Sequence, residues 1–252
     1  MSMQGRRVGI LATVVVVIGA AVGVGIAVSS NSAKPKAYVP LTDGSMVADK
    51  YANPANKATA LAYGPATAPH TLTIFEDFRC PFCRALETGS ASVYKAYAAK
   101  GTLRVLFHPV TLIDTKDNGS GSLQSGNAAA CAATAGKFDE YHDVLFANQP
   151  DETTDGYSST ATLIALAKQV PGLDTPAFES CVNAGTYKGL VQQNWSDFNA
   201  LQLQGTPTLM LDGKALTLPD NFWKASKDGA SLAGSDPAVL RQVFQAAGLQ
   251  AP

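Results

Sequence analysis

The chain has 252 residues, with 19 basic against 20 acidic side chains and a formal charge of −1. Only 15% of its residues are charged and 46% are hydrophobic. This excludes a basic face for nucleic acid and supplies enough apolar material for one large domain to bury a core without a structural metal.

Arg6 and Arg7 precede an unbroken uncharged run, Val8 to Val28, long enough to cross a hydrocarbon core as a helix. The run exceeds the about 7–15 residues of a signal-peptide h-region, so it reads as an uncleaved anchor; cleavage near Ala27 to Ser29 or at Ala33 is the rival. The leading arginines favour a cytoplasmic N-terminus for residues 1–7 and an exported remainder, although Lys34 and Lys36 blunt that bias. Residues 29–56, rich in Ser, Pro, Lys, Ala and Asn, read as a linker that lifts a domain off the membrane.

Ala58 to Tyr63 predicts a short strand, closed by a turn from Gly64 to Pro69. Thr71 to Phe75 alternates with β-branched and aromatic residues and predicts a core strand running into Cys80-Pro81-Phe82-Cys83. A helix is predicted from Pro81 to Lys100, with a kink or break at Gly89, followed by a strand at Leu103 to Phe107. Lys116 to Asn127 reads as a Gly/Ser-rich loop. Helices are predicted over Ala128–Ala135, Phe138–Asn148, Ser159–Val170, Pro176–Ala184 and Lys188–Leu203. Thr208 to Leu218 predicts a hairpin around Asp212-Gly213, and a last helix follows Ser235-Asp236-Pro237. The order is strand, helix, strand, a helical block, then strands and a helix.

Two cysteines separated by two residues, where a strand gives way to a helix, have the geometry of a redox dithiol. The unpaired N–H groups and positive dipole end of the helix favour a Cys80 thiolate, and its pKa is expected below the free value of about 8.5. Pro81 suits the first helical turn. Cys83, one turn further in, is the sulfur that resolves a mixed disulfide on Cys80. The alternative for this spacing, half of a zinc site, needs two more ligands; Cys131, Cys181, His70, His108 and His142 do not have the spacing. A thiolate module for Cu(I) is the rival outside the enzymes. No other cofactor is expected. Four cysteines allow three pairings, and the closeness of Cys80 to Cys83 leaves Cys131–Cys181 as a structural disulfide, with a second redox pair as the sharper alternative. His142, Phe138 and Tyr141, at helical spacing, read as packing and surface residues.

Glu76-Asp77-Phe78-Arg79-Cys80-Pro81-Phe82-Cys83, followed by Gly205-Thr206-Pro207-Thr208, resembles the DsbA-like branch of the thioredoxin superfamily over roughly residues 57 to 252. The resemblance implies an α/β fold in which a thioredoxin-like domain (57–118 and 205–252) carries an all-helical insertion (119–204), preceded here by the transmembrane helix at 8–28. It implies that Pro207 is a cis-proline packed on the dithiol and that Thr206 offers backbone groups to an extended substrate. Phe82, within the active-site dipeptide Pro81-Phe82, is expected to tune the potential and to meet substrate. Relatives hold a buried acid six residues before the first cysteine, where this chain has Ile74. Glu76, two residues on and on the same strand face, is the expected proton acceptor near Cys83. Arg79 is expected to favour the Cys80 thiolate, and Asp77 to oppose it. The function implied is oxidation of reduced, newly exported proteins, with a DsbB-like or vitamin-K-epoxide-reductase-like membrane partner restoring the disulfide. Isomerase and reductase roles, the latter in cytochrome maturation, are the alternatives.

Overall fold

The computed structural model describes residues 46–52, 57–227 and 232–252. The expected anchor at 8–28 and most of the expected linker lie outside the described residues. Among the described residues, no helix is long and apolar enough to cross a membrane.

A six-stranded sheet organises the domain. Its strands are β1 (Met46–Ala48), β2 (Ala58–Tyr63), β3 (His70–Glu76), β4 (Leu103–Pro109), β5 (Thr208–Leu211) and β6 (Lys214–Ala215), in the spatial order β1-β2-β4-β3-β5-β6. Only β3 and β4 run parallel, because a helix, α1 (Pro81–Ala99), connects them; the other neighbours are antiparallel. Residues 46–48, expected within the linker, instead form the edge strand, with Met46 opposite Leu61. Asp212 and Gly213, both at positive φ (49° and 81°), make the tight turn between β5 and β6 that an Asp-Gly pair favours.

Period-two alternation in β3 divides the core. Leu72 and Ile74 join the larger cluster with Leu86, Tyr94, Val105 and Phe107, whereas Phe75 joins Val110, Phe198 and Met210 on the opposite face. Helix α7 (Lys188–Ala200) supplies Phe198 and Trp195 to that second face.

Helix α1 begins on Pro81, whose missing N–H costs nothing at the first position, and ends before Gly101, which holds φ 74°. It buries Leu86 and Val93 against the sheet, each worth about 1.5–3 kcal/mol. The break expected at Gly89 is absent: the helix is continuous. A Cβ at Gly89 would lie 2.8 Å from the backbone N of Ser235, so the glycine makes room for a neighbour rather than for a bend. That neighbour belongs to a two-stranded sheet, β7 (Trp223–Ala225) with β8 (Leu232–Ser235), which sequence patterning did not predict. Ser235 Oγ donates to the Ala85 carbonyl at 2.7 Å and lies 2.6 Å from Ser90 Oγ. Asp236 caps the last helix, α8 (Pro237–Ala246), by accepting from the Ala238 N–H.

Between β4 and β5 come α2 (Leu112–Asp117), α3 (Gly121–Thr134), α4 (Phe138–Ala147), α5 (Thr160–Ala167), α6 (Pro176–Ala184) and α7. The loop expected from Lys116 to Asn127 is mostly helix. Helix α3 starts at Gly121 because distant carboxylates cap it: Asp155 accepts from the N–H groups of Ser120 and Gly121, and Asp114 from those of Ser122 and Leu123, all at 2.8–2.9 Å. These acceptors satisfy donors that a helix start leaves open. Cys131 on α3 and Cys181 on α6 are joined by a disulfide with Cα atoms 5.9 Å apart.

Candidate active site

The end of β3, a four-residue turn and the start of α1 place the dithiol. The Asp77 carboxylate accepts from the Arg79 N–H at 2.8 Å and from the Ile113 N–H at 2.9 Å, which ties the turn to α2. The Cys80 N–H donates to the Asp77 carbonyl, and the Cys80 carbonyl accepts the first helical hydrogen bond, from Arg84. Gln149, just past α4, donates through one amide nitrogen to the carbonyls of Phe78 (2.9 Å) and Cys80 (3.0 Å). Buried carbonyls without a partner are costly, so Gln149 is part of what holds the turn. Sequence reasoning missed it; its only local signal is a polar residue between a helix end and Pro150.

Cys80 and Cys83 are free thiols, with Cys80 only 4% exposed and Cys83 fully buried. The Cys80 thiol donates to the Thr206 carbonyl at 3.3 Å, and the bond from Thr206 to Pro207 is cis. Thus the two motifs, more than 120 residues apart, meet at one sulfur. The two sulfurs titrate far apart. Hydrogen bonding from Cys83 brings Cys80 down to about 7; burial opposes this, while the Thr206 side chain and the N–H groups of Cys83 and Phe82 assist. Among the described residues the buried Thr206 hydroxyl has no hydrogen-bond partner, which leaves it free to serve the sulfur. Cys83 is held well above its usual value by burial, by its bond to Cys80 and by the charges of Cys80 and Glu76, against the Asp77 N–H at 3.4 Å. A stabilised thiolate beside a protonated thiol is the arrangement of a nucleophile and its resolving partner.

Of the expectations for the neighbouring charges, that for Arg79 is corrected, and that for Asp77 holds in reduced form, since its charge and that of Cys80 repel. Arg79 does not serve Cys80: its guanidinium is buried and pairs with Asp114 (2.8 Å), Asp117 and Asp155 (3.2 Å). Three carboxylates more than neutralise it, so the helix-start donors and Cys83 act on the Cys80 sulfur instead. Asp77 does not stand as a full opposing charge, since burial pushes it up to about 7 against its hydrogen bonds from Ile113 and Arg79.

Glu76 is fully buried and accepts from His142 Nε2 at 2.9 Å and 3.1 Å. It lies close enough to Cys83 for its charge to raise that thiol. His142, read from sequence as a packing and surface residue, is 1% exposed and is the ion-pair partner of Glu76, enclosed by the rings of Phe78, Phe107, Phe138 and Phe146. Helical spacing alone put His142 on the apolar face of α4 and carried no sign of a strand carboxylate opposite. Among the described residues, Glu76, His142 and Glu87 are also the one grouping of His, Cys and carboxylate atoms that lie within 4.8 Å of one another. Glu76 and His142 are already engaged with each other in an ion pair, and Glu87 accepts from the Tyr94 hydroxyl, a proton-holding arrangement.

Phe82 projects at the rim, 45% exposed, with its ring edge-on to Trp223 at 5.0 Å. Beside it a groove of about 570 Å³ runs along Pro81, Arg84, Gln149, Glu152 and Leu232. The Thr206–Pro207 backbone meets the Cys80 sulfur, and the groove begins at the next residue, Pro81. Cys131 and Cys181 are consumed by their own bond and supply no thiolate here.

A family model described as thioredoxin matches residues 56–227. Among solved structures, the reduced disulfide bond oxidoreductase DsbG of Mycobacterium tuberculosis is similar with a TM-score of 0.59 and 23% identity, covering 81% of this chain and 94% of that one. Oxidised BdbD of Bacillus subtilis gives 0.57 and 20%, covering 80% and 96%; at such identities the likeness is one of fold. Among curated proteins, the chain is 32% identical over 155 residues to the Na(+)/H(+) antiporter NhaA 1 of Mycolicibacterium gilvum, a match covering 60% of this chain and 23% of the antiporter. It is 25% identical over 157 residues to disulfide bond formation protein D of Bacillus subtilis, covering 61% and 68%. The chain thus spans about a quarter of the length of the antiporters it matches.

Proposed function

Since the chain belongs to the thioredoxin family, we propose that it is a DsbA-type thiol–disulfide oxidoreductase working as an oxidase on exported proteins. The observation that carries the reading is the split between the two sulfurs: Cys80 lowered to about 7 at a helix start, and Cys83 buried and held well above its usual value. In the oxidising direction a substrate thiolate attacks Cys80 of the Cys80–Cys83 disulfide, and Cys83 leaves and takes up a proton. A second substrate thiolate then attacks the substrate sulfur of the mixed disulfide. The substrate disulfide forms and Cys80 departs as a thiolate, which its low pKa favours. The cis Thr206–Pro207 segment aligns the substrate backbone, and Phe82 with Trp223 offers it an apolar rim. Two electrons are left on the protein, and a membrane partner of the DsbB or vitamin-K-epoxide-reductase kind removes them. Residues 8–28 keep the domain at the outer face of the membrane.

A glutathione titration of the dithiol, run with oxidative refolding of a reduced substrate, tests this. The expected potential is more oxidising than thioredoxin's, about −270 mV. A potential at or below that value, with insulin reduction and no oxidative refolding, makes the protein a reductase. The placement is tested separately by fractionation, where the full chain is expected to stay with membranes; N-terminal sequencing that starts after Ala27 overturns the anchor.

A further inference from the structure

The buried Cys83 thiol must lose a proton each time it resolves a mixed disulfide and regain one each time it leaves, yet no solvent reaches it. Glu76 answers half of that need. The other half lies on the far side of its partner: His142 Nε2 faces Glu76, while His142 Nδ1 faces Asp143 Oδ1 at 3.8 Å. The Asp143 side chain is 52% exposed and lines a groove of about 450 Å³ between α1 and α4, together with Glu87 and Lys95. An imidazole with one nitrogen on a buried carboxylate and the other on a surface carboxylate is the geometry of a shuttle.

We propose that Glu76, His142 and Asp143 form a proton relay that connects Cys83 to the groove between α1 and α4. The proposal rests on the proposed function, because it assigns the proton traffic of the same dithiol. When Cys83 resolves a mixed disulfide, its proton passes to Glu76 while His142 releases one from Nδ1 to Asp143 and on to water. The Cys83 thiolate attacks the Cys80 sulfur, the bond from Cys80 to the partner sulfur breaks, and the partner leaves as a thiolate. The charged pair Glu76–His142 becomes a neutral one, so the pair keeps its proton count and the buried net charge is unchanged, while the one proton lost by Cys83 is balanced by the one released to water. When the disulfide is later reduced, Glu76 returns a proton to the departing Cys83 thiolate and His142 recovers one through Asp143. The 3.8 Å gap from Nδ1 to Asp143 closes by a small side-chain shift or through one water of the groove.

The charges around His142 suit this. Glu76 faces it from β3, Glu87 from α1 with the Tyr94 hydroxyl bound to it, and Asp143 from α4; Lys95 on α1 and Asp139 on α4 bind beyond Asp143, and β4 presents Phe107. Burial pushes His142 down, but Glu76, the bond to Asp143 and Glu87 together lift it to about 10, so the imidazolium state is available at neutral pH. Glu87 is pushed up to about 8 by burial and adds no full charge there. His142 and Asp143 act through Glu76 and are positioning residues; neither touches sulfur.

The test uses full-length reduced protein and the chromogenic disulfide 5,5′-dithiobis(2-nitrobenzoate), with release of thionitrobenzoate followed from pH 6 to 9. Release is expected in two phases, attack by Cys80 and then resolution by Cys83. Loss of the first phase in the wild-type protein would refute the function itself. With the first phase intact, Asp143→Asn and His142→Gln are expected to slow the second phase by about 100-fold at pH 7. The Asp143→Asn protein should keep its equilibrium potential, and added formate, small enough for the groove, should restore its second phase. Asp143→Asn is a surface change and decides the matter if His142→Gln does not fold. A second phase with wild-type rate and pH profile in Asp143→Asn, or a slowing matched by a shift in potential and insensitive to formate, overturns the relay.

Discussion

The Cys131–Cys181 bond offers the most calculable perturbation. It closes a loop of 50 residues between α3 and α6, well away in sequence from the reactive pair. In the chain-entropy treatment, a loop of that length restricts the unfolded chain by about 4 kcal/mol at 25 °C. For a domain of about 150–250 residues, each kcal/mol moves Tm by about 2–4 °C, so replacing both cysteines by Ala is expected to lower Tm by about 8–16 °C. Differential scanning calorimetry measures the shift, and iodoacetamide labelling of Cys80 in the folded variant measures the site. The labelling rate is expected to be unchanged, because neither Cys131 nor Cys181 contributes to the hydrogen bonds that lower Cys80. A Tm shift under about 3 °C would show that the bond constrains little. Loss of disulfide exchange in a variant that remains folded would refute the structural role and make the pair an electron relay.

Three further outcomes are expected. Cys83→Ala removes the largest cause of the lowered Cys80 pKa, so Cys80 should titrate above about 7 when thiolate absorbance or alkylation rate is followed against pH; an unchanged midpoint would leave Thr206 and the helix start as the causes. Glu87 has a folded pKa of about 8, above its ordinary 4.5, so the native state binds its proton more tightly and stability falls as pH rises through that window. Below pH 6.5 the contribution of His142, whose pKa is raised to about 10, is constant. Urea midpoints between pH 5 and 6.5 should therefore decline in the wild-type protein and decline less steeply in Glu87→Gln, where Asp77, raised to about 7, still contributes a slope of the same sign, with the variant gaining more than about 1.4 kcal/mol by pH 8; parallel slopes would count against this. Gly89→Ala puts a Cβ 2.7 Å from Ser235 Oγ and 2.8 Å from its N, and should cost about 1–3 kcal/mol and loosen the β7–β8 pair, as faster amide exchange there would show. Wild-type stability would mean that the strand yields freely.

What the amino-acid sequence determined by itself is local in its physics. Alternation in β3, the proline at the start of α1, the Asp-Gly turn after β5 and the Asp236 cap act between near neighbours, and each of these elements stands within a few residues of its expected place. The pairing of Cys80-Pro81-Phe82-Cys83 with Thr206-Pro207 was legible because the resemblance carried both motifs; periodicity alone related neither to the other. Tertiary structure decided the rest, wherever a partner came from far along the chain. Helix α3 begins in a Gly/Ser-rich stretch because Asp155 and Asp114 supply its caps, and no local propensity records acceptors from elsewhere. Gly89 read as a break because its helix was considered alone, whereas Ser235 occupies the space above it. Arg79 read as an aid to Cys80 because adjacency suggested it, whereas three carboxylates from the helical block claim its charge. His142 read as packing because its helix neighbours are aromatic, and only the approach of α4 to β3 gave it Glu76. A charge or a hydrogen bond is satisfied by whatever lies within a few ångströms in space, and for these buried groups only the folded chain brings that partner near.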